Sequence, residues 1–400
     1  MAVRILHVVT AFPRTPDDVI TPWLVELLRR LRAAGLEAEV FTSAYRGGGP
    51  DQFDGIPVHR FRYFFRRWED LTHDEAAPDR LTRSWRYRLM ALCYVLAGAL
   101  AIWRRCRRVH YDIVHVHWAM PHALFGWVAR WACGARVVIT FYGVELRWTA
   151  TTLGPLRWFL ARAARSCDRA VAISAYTAKE VRHLGRADVA VIPYTTGLPP
   201  DEGERPSRPG GPFTALFVGR LVERKGVHVL LEAMRQMPRD IECRAVIVGE
   251  GPEMDRLRGL AHALGIGDIV TFTGRVSSAE LQAAYRASDV FVLPAVVDRR
   301  GDTEGLGVVL LEAMHYGVPV IASELGGIPD IVEHERSGLL VPPGSPSALA
   351  DALERLARDR GLAQRLGEAG RRRLTEHFSW PVITSKWVNL YREVALSGRL

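Results

Sequence analysis

Glu304 and Glu312 stand eight residues apart, with Gly305 and Gly307 between them just where a loop would turn into an apolar helix over residues 308–316. Glycines at such a turn let backbone N–H groups approach a ligand closely, and the helix N-terminus behind them attracts negative charge. A diphosphate suits that position. If both glutamates are helical, Glu312 lies about 12 Å along the axis from Glu304, so one carboxylate can meet a sugar at the helix mouth and the other a ribose hydroxyl deeper in. The bland alternative is a helix-start acid followed by an exposed helical acid.

Two cations form the second constellation. In GRLVERKG (219–226), Gly219 and Arg220 follow an apolar run, and Lys225 precedes Gly226 at the start of the next helix. A guanidinium fork and an ammonium point charge can together neutralise a departing diphosphate; a solvated pair at a helix start is the alternative. The third is Asp112-Ile-Val-His-Val-His-Trp118. His115 and His117 share one face of a strand because side chains alternate with period two, but only His117 reaches the open carboxyl end. His115 reads as a satisfied core histidine.

These groups need elements to carry them. Strands are predicted at residues 3–10, 37–42, 112–117, 136–140 and 169–173, with helices at 22–34, 121–133 and 153–166. After a stretch rich in Pro, Gly and charge (198–211) the alternation restarts, with strands at 214–218, 244–248, 269–273, 290–293 and 319–322. Strands alternating with helices predict doubly wound parallel sheets, whose ligands sit beyond the carboxyl ends of the strands. The domains expected are 1–200 and 201–380, with a last helix at about 381–400 packing back on the first. Neither half opens with GxGxxG, which argues against a dinucleotide oxidoreductase.

At 400 residues with 48% hydrophobic and 24% charged residues, the chain has the length and balance of a two-domain globular enzyme. Its five cysteines are scattered, with no pair at ligand or disulfide spacing. A basic leader with a long apolar stretch is not seen at the start, so the expected location is cytoplasmic. The net charge of +9 is uneven: residues 1–200 carry 28 Lys+Arg against 17 Asp+Glu, and residues 201–400 carry 25 against 27. A basic first half suggests nucleic acid or an anionic membrane as its partner; a nucleic-acid recognition motif is lacking, and arginine-rich composition is the plain alternative. The apolar run at 89–103, bracketed by arginines from Arg83 to Arg108, falls short of the roughly 20 residues needed to span a bilayer. It reads first as a buried core helix, with an in-plane membrane-surface helix as the alternative.

Taken together, these motifs resemble the EX7E retaining glycosyltransferases of family 4 (glycosyl transferases group 1). The resemblance covers almost the whole chain and is densest in GRLVERKG (219–226), IVGEGPE (247–253), VTFTGRVSSAEL (270–281), ASDVFVLP (287–294), EGLGVVLLEAMHYGVPVIAS (304–323), GGIPDIV (326–332) and SGLLVPPG (337–344). It implies a GT-B architecture, two Rossmann-like domains facing a cleft. It also implies roles: Arg220 and Lys225 on the donor diphosphate, with Gly219 at their turn; Glu312 on the ribose; Glu304 with the backbone of Gly305, Leu306, Gly307 and Val308 on the transferred sugar. Val276 would lie against the base, Gly249 with Glu250 would shape the wall behind it, and His117 would reach the sugar from the first domain. Trp118 and Tyr142 fall in the acceptor-side segments 112–126 and 137–146. Two departures concern the acceptor: the loop 11–18 lacks the family's paired glycines, and Thr140-Phe-Tyr-Gly143 stands where Thr-x-His-Gly is frequent.

The function so implied is transfer of a hexosyl group (EC 2.4) from a nucleotide diphosphate sugar with retention, without a cofactor or essential metal, since no Asp-x-Asp triplet is present and cations are placed to handle the donor's charge. The acceptor expected is a lipid-linked glycan or glycolipid for the cell surface, taken at the inner face of an anionic cell membrane. A soluble small-molecule acceptor and a GT-B nucleotide-sugar epimerase are the alternatives; nucleic acid is not expected as a partner.

Overall fold

The computed structural model describes all residues except 1–2, 16–17, 19, 74–79, 82–83, 152–153, 197, 199–210 and 398–400. Most of the stretch read as a linker, and Arg83, therefore lie outside the described residues. Two compact units are formed, one by Met1–Ile173, Thr177–Ile192 and Trp380–Leu400, the other by Ser174–Tyr176 and Pro193–Ser379.

In the first unit the described strands are β1 (Arg4–Val8), β2 (Glu37–Ser43), β3 (Gln52–Phe53), β4 (Ile56–Phe61), β5 (Ile113–His117), β6 (Arg136–Phe141), β7 (Arg169–Ala172) and β8 (Val189–Val191). Their order is β3-β4-β2-β1-β5-β6-β7-β8, parallel throughout except for the antiparallel pair β3 and β4. Both faces are covered, so the strands read as continuous apolar runs rather than alternating ones. On β1, Leu6 and Val8 join the core beneath the helices Trp85–Arg108, Ala119–Cys133 and Arg157–Ser166. Ile5 and Val9 point the other way, into a core closed by the helices Pro22–Ala33 and Trp380–Leu396.

The second unit holds β9 (Phe213–Val218), β10 (Cys243–Val248), β11 (Val270–Gly274), β12 (Val290–Leu293), β13 (Val320–Ser323) and β14 (Leu339–Val341). All pair in parallel, in the order β11-β10-β9-β12-β13-β14. The chain winds outward from β9 through β10 to β11, then returns to β12 on the other side of β9. Between β9 and β12 the winding reverses, which leaves a crevice at their carboxyl ends where ligands bind in such sheets.

Several elements differ from the sequence prediction. The strands β3, β4, β8 and β14 are short or interrupted by polar residues and carry no apolar run long enough to stand out. The helix predicted at 153–166 begins only at Arg157, after a 3-10 turn Gly154–Leu156, and a helix that was not predicted, Val144–Thr151, precedes that turn. The apolar run 89–103 is the middle of a longer helix, Trp85–Arg108, whose N-cap Ser84 accepts a hydrogen bond from the Arg86 N–H. That helix is not buried throughout: Met90, Tyr94, Gly98, Ile102 and Cys106 face the core, while Trp85, Leu89, Leu92, Leu96 and Leu100 are exposed.

Candidate active site

At the carboxyl end of β9 the chain turns through Gly219 and Arg220 into a short 3-10 turn, Glu223–Lys225, before the helix Val227–Gln236. At the carboxyl end of β12 it runs through Pro294 to Glu304 and then, with Gly307 as cap, into the helix Val308–His315. These two connections flank the winding reversal and bring opposite charges together. Lys225 Nζ donates to Glu304 Oε2 at 2.5 Å, and Arg224 Nη1 to the same oxygen at 3.3 Å. Arg224 also lies 3.5 Å from Asp302. Glu304 is only 8% exposed. Burial opposes its charge, but Lys225 and Arg224, with the Leu306 N–H, outweigh that and hold the carboxyl below its ordinary range.

The loop carrying Glu304 is backed by a second close approach. Gly326, with φ of +59°, follows β13, and a Cβ there would lie 2.0 Å from the Glu304 carbonyl oxygen; the Gly327 N–H donates to that oxygen at 3.0 Å. Eight residues on from Glu304, Glu312 accepts a 2.7 Å hydrogen bond from the Tyr285 hydroxyl. Burial raises the Glu312 carboxyl, against the pull of that hydroxyl and of Lys225.

In the first unit, β1 and β5 pair with His7 opposite His115, and together with His117 the three imidazoles converge, one nitrogen of each within 4.8 Å of the others. His7 Nδ1 is 3.1 Å from His117 Nε2, and His117 Nδ1 is 2.8 Å from the Tyr142 hydroxyl. His115 is engaged by Thr140 and by Tyr391 of the last helix, at 2.8 and 2.7 Å. Burial lowers all three, His7 to about 3, so each is neutral at pH 7. Neutral imidazoles are the form that ligates metals, yet five of the six ring nitrogens already meet hydroxyls or each other, and the group is a hydrogen-bonded core first. Beside it, Tyr142 donates its N–H to Glu145 at 3.0 Å. Glu145 is fully buried, which pushes it up to about 7 against its backbone hydrogen bonds and Arg147.

Comparison with known proteins decides the family. The model for glycosyl transferases group 1 matches residues 201–373, and that for the glycosyl transferase 4-like domain matches 20–195. The chain belongs to the group 1 glycosyltransferases. Among its relatives, a GDP-mannose-dependent alpha-(1-6)-phosphatidylinositol monomannoside mannosyltransferase of Mycobacterium tuberculosis is 33% identical over 366 residues, 87% of this chain and 94% of the relative. A D-inositol 3-phosphate glycosyltransferase of Streptomyces bingchenggensis is 31% identical over 402 residues, 93% and 84% of the two chains. Sucrose-phosphate synthase from Thermosynechococcus elongatus shares the fold with a TM-score of 0.76 at 24% identity, over 99% of this chain and 100% of the other. Anabaena HepE, solved with UDP and glucose, does so at 0.70 and 19%, over 98% and 100%. Their common architecture is GT-B.

Within this glycosyltransferase the residues singled out in the second half gather at one end of one sheet. Gly219, Arg220 and Lys225 follow β9, Gly249 and Glu250 follow β10, Val276 follows β11, and Glu304 to Glu312 follow β12. Arg220 is exposed and makes no ion pair among the described residues. Gly249 has φ of +134°, and a Cβ on it would meet the Gly219 carbonyl oxygen at 2.0 Å, so it permits the turns after β9 and β10 to touch. His117 differs from expectation: it is 3% exposed, and both ring nitrogens are engaged. Trp118 adopts φ of 68° at the start of its helix, and its ring lies 4.9 Å from that of Tyr142. Sequence reading passed over Arg224, Tyr285, His7 and Glu145. Arg224 stands among other charged residues in 219–226, and Glu145 lies only three residues from Tyr142, whose N–H donates to it; Tyr285 and His7 are distant in sequence from the groups they meet.

Proposed function

We propose that the protein transfers a hexose from a nucleotide diphosphate sugar to a lipid-linked or glycolipid acceptor, with retention of anomeric configuration and no essential metal ion. The observation carrying this is the cluster of Lys225, Arg224 and Glu304 at the winding reversal between β9 and β12, beside the glycine-opened N-terminus of the helix Val308–His315. The cations and the helix start favour a diphosphate as it departs with growing charge. Glu304, kept ionised, accepts hydrogen bonds from sugar hydroxyls, and Glu312 takes the ribose, with Arg220 as an exposed third cation for the phosphates. Departure and attack on one face of the sugar, with a phosphate oxygen taking the acceptor's proton, need no protein nucleophile. A covalent route through Glu304 is disfavoured because a nucleophile must stand on the opposite face.

Trp118 and Tyr142 belong to the acceptor side, where the neutral His117 is bonded to the Tyr142 hydroxyl. The mannosyltransferase relative supports GDP-mannose as the first donor to try and an inositol-containing lipid as acceptor, while the D-inositol 3-phosphate glycosyltransferase supports a soluble inositol phosphate as the alternative acceptor. The enzyme then works at the cytoplasmic face of an anionic membrane as a peripheral protein. A panel of GDP-, UDP- and ADP-sugars followed by proton NMR with lipid extract tests this. Consumption of one donor with an anomeric coupling matching it supports the reading; an inverted product, or epimerised donor with no transfer, contradicts it.

A further inference from the structure

We propose that the outward face of the helices Trp85–Arg108, Ala119–Cys133 and Arg157–Ser166 seats this protein on the surface of an anionic lipid bilayer, with the first helix lying in the plane of the interface. This deepens the lipid-acceptor reading above and rests on it for its purpose.

The first helix settles the manner of contact. By length and composition it is apolar enough to cross a membrane, but Met90, Tyr94, Gly98, Ile102 and Cys106 pack one stripe of it into the protein core. A helix committed along its whole length to a water-soluble unit cannot be surrounded by lipid. The opposite stripe, Trp85, Leu89, Leu92, Leu96 and Leu100, recurs every three or four residues and is exposed, Leu96 by 63%. A surface helix ordinarily turns polar side chains to water; this one carries its leucines on the exposed side.

The neighbouring helices extend the face. Ala119–Cys133 packs against the first helix and Arg157–Ser166 against the second, all three covering the same face of the sheet. They show Trp131 and Trp158 to solvent, 79% and 63% exposed. Of the twelve large apolar side chains that are exposed among the described residues, seven lie on these three helices. Tryptophan at a rim is the residue suited to the boundary of water and lipid.

Charge identifies the occupant. Together the three helices contain ten arginines and no Asp or Glu, whereas the helix Pro22–Ala33 on the other face of the sheet carries Glu26 in ion pairs with Arg29 and Arg30. Some of the ten are engaged inward: Arg105 by Glu39 and Arg130 by Asp168. Arg104, Arg107 and Arg108 are exposed at the end of the leucine stripe and form no ion pair among the described residues. An apolar stripe bordered by unneutralised arginines and bare of acids matches an anionic leaflet.

The test is sedimentation of the full chain with vesicles of phosphatidylglycerol in phosphatidylcholine, or of phosphatidylcholine alone. Wild-type protein should pellet with the former at low salt and be released as salt rises, because exposed charges are screened over about 8 Å at physiological ionic strength. Leu92→Glu with Leu96→Glu should weaken binding at least about tenfold while leaving the melting temperature within about two degrees of wild type. Arg104→Glu with Arg108→Glu should abolish the preference for anionic vesicles. Equal recovery of wild type in both supernatants, or undiminished pelleting of the leucine variant, overturns the proposal. So does self-association in sedimentation velocity that the leucine variant abolishes, which would make the face a protein interface. No donor or acceptor is needed, so a failure of transfer leaves this measurement unaffected.

Discussion

Lys225 Nζ and Glu304 Oε2 stand 2.5 Å apart at the ends of two adjacent strands, and both side chains are nearly buried. The ammonium proposed for the diphosphate and the carboxylate proposed for the sugar thus neutralise each other across the space between β9 and β12. Removing one partner leaves a buried charge uncompensated, which is costly, while removing both is less so. Lys225→Ala and Glu304→Ala should each lower transfer by about 10²-fold or more. Urea unfolding of the double variant should show less destabilisation than the two single variants added together, with a coupling of about 1–3 kcal/mol. Strict additivity would mean that the pair is not formed.

Gly326 should tolerate no side chain. Its positive φ is strained for other residues, and a Cβ would fall against the Glu304 carbonyl. Gly326→Ala should therefore displace the Glu304 loop and lower transfer, and thermal melting should fall by an amount typical of strained or overpacked sites, about 1–3 kcal/mol. Gly344, which also has positive φ but open space around it, serves as the control: its Ala variant carries the strain alone and should keep full activity.

Acid should unfold the first unit through its histidines. Burial lowers His7 to about 3 and His122 to about 4, and holds His115 and His117 well below 6.5. Each contributes stability that is fully present above pH 6.5, its unfolded value, and is lost as pH falls toward the folded value, with a slope of up to about 1.4 kcal/mol per pH unit per group. Glu145 works in the opposite direction: raised from 4.5 to about 7, it costs stability as pH rises through that window. Four histidines outweigh one carboxyl, so urea midpoints should fall from pH 6.5 to 4.5. His122→Gln should flatten the fall and Glu145→Gln should steepen it. A flat profile for wild type would contradict these burials.

How much of this was legible beforehand follows from sequence distance. Lys225, Glu304 and Glu312 sit in short motifs whose residue types announce their chemistry, and the apolar runs of β9, β12 and β13 around them are long enough to read. Tyr285 lies 27 residues from the Glu312 it serves, and His7 is brought to His117 only by the pairing of β1 with β5. Neither relation leaves a local pattern. His117 meets the Tyr142 hydroxyl, just past the end of the next strand, and His7, so the open histidine expected at the strand end is instead a buried, neutral one with both ring nitrogens engaged. In the helix Trp85–Arg108, hydropathy alone could not show that only one of its two apolar stripes meets the core.

Transfer should persist in excess EDTA, because cationic side chains and a helix start are proposed to carry the charge that a divalent ion would otherwise hold. Loss of turnover with EDTA, restored by Mg²⁺ or Mn²⁺, would require a metal in the donor complex.

A nucleotide diphosphate sugar is expected to bind at the carboxyl ends of β9 and β12. Titration calorimetry with GDP-mannose, UDP-glucose and ADP-glucose, on wild type and on Lys225→Ala confirmed as folded by its melting curve, tests it most directly. Wild type should bind one of the three, and Lys225→Ala should bind the same sugar at least about tenfold more weakly, a loss of about 1.4 kcal/mol. Equal affinity of the two proteins for that donor would place its site elsewhere.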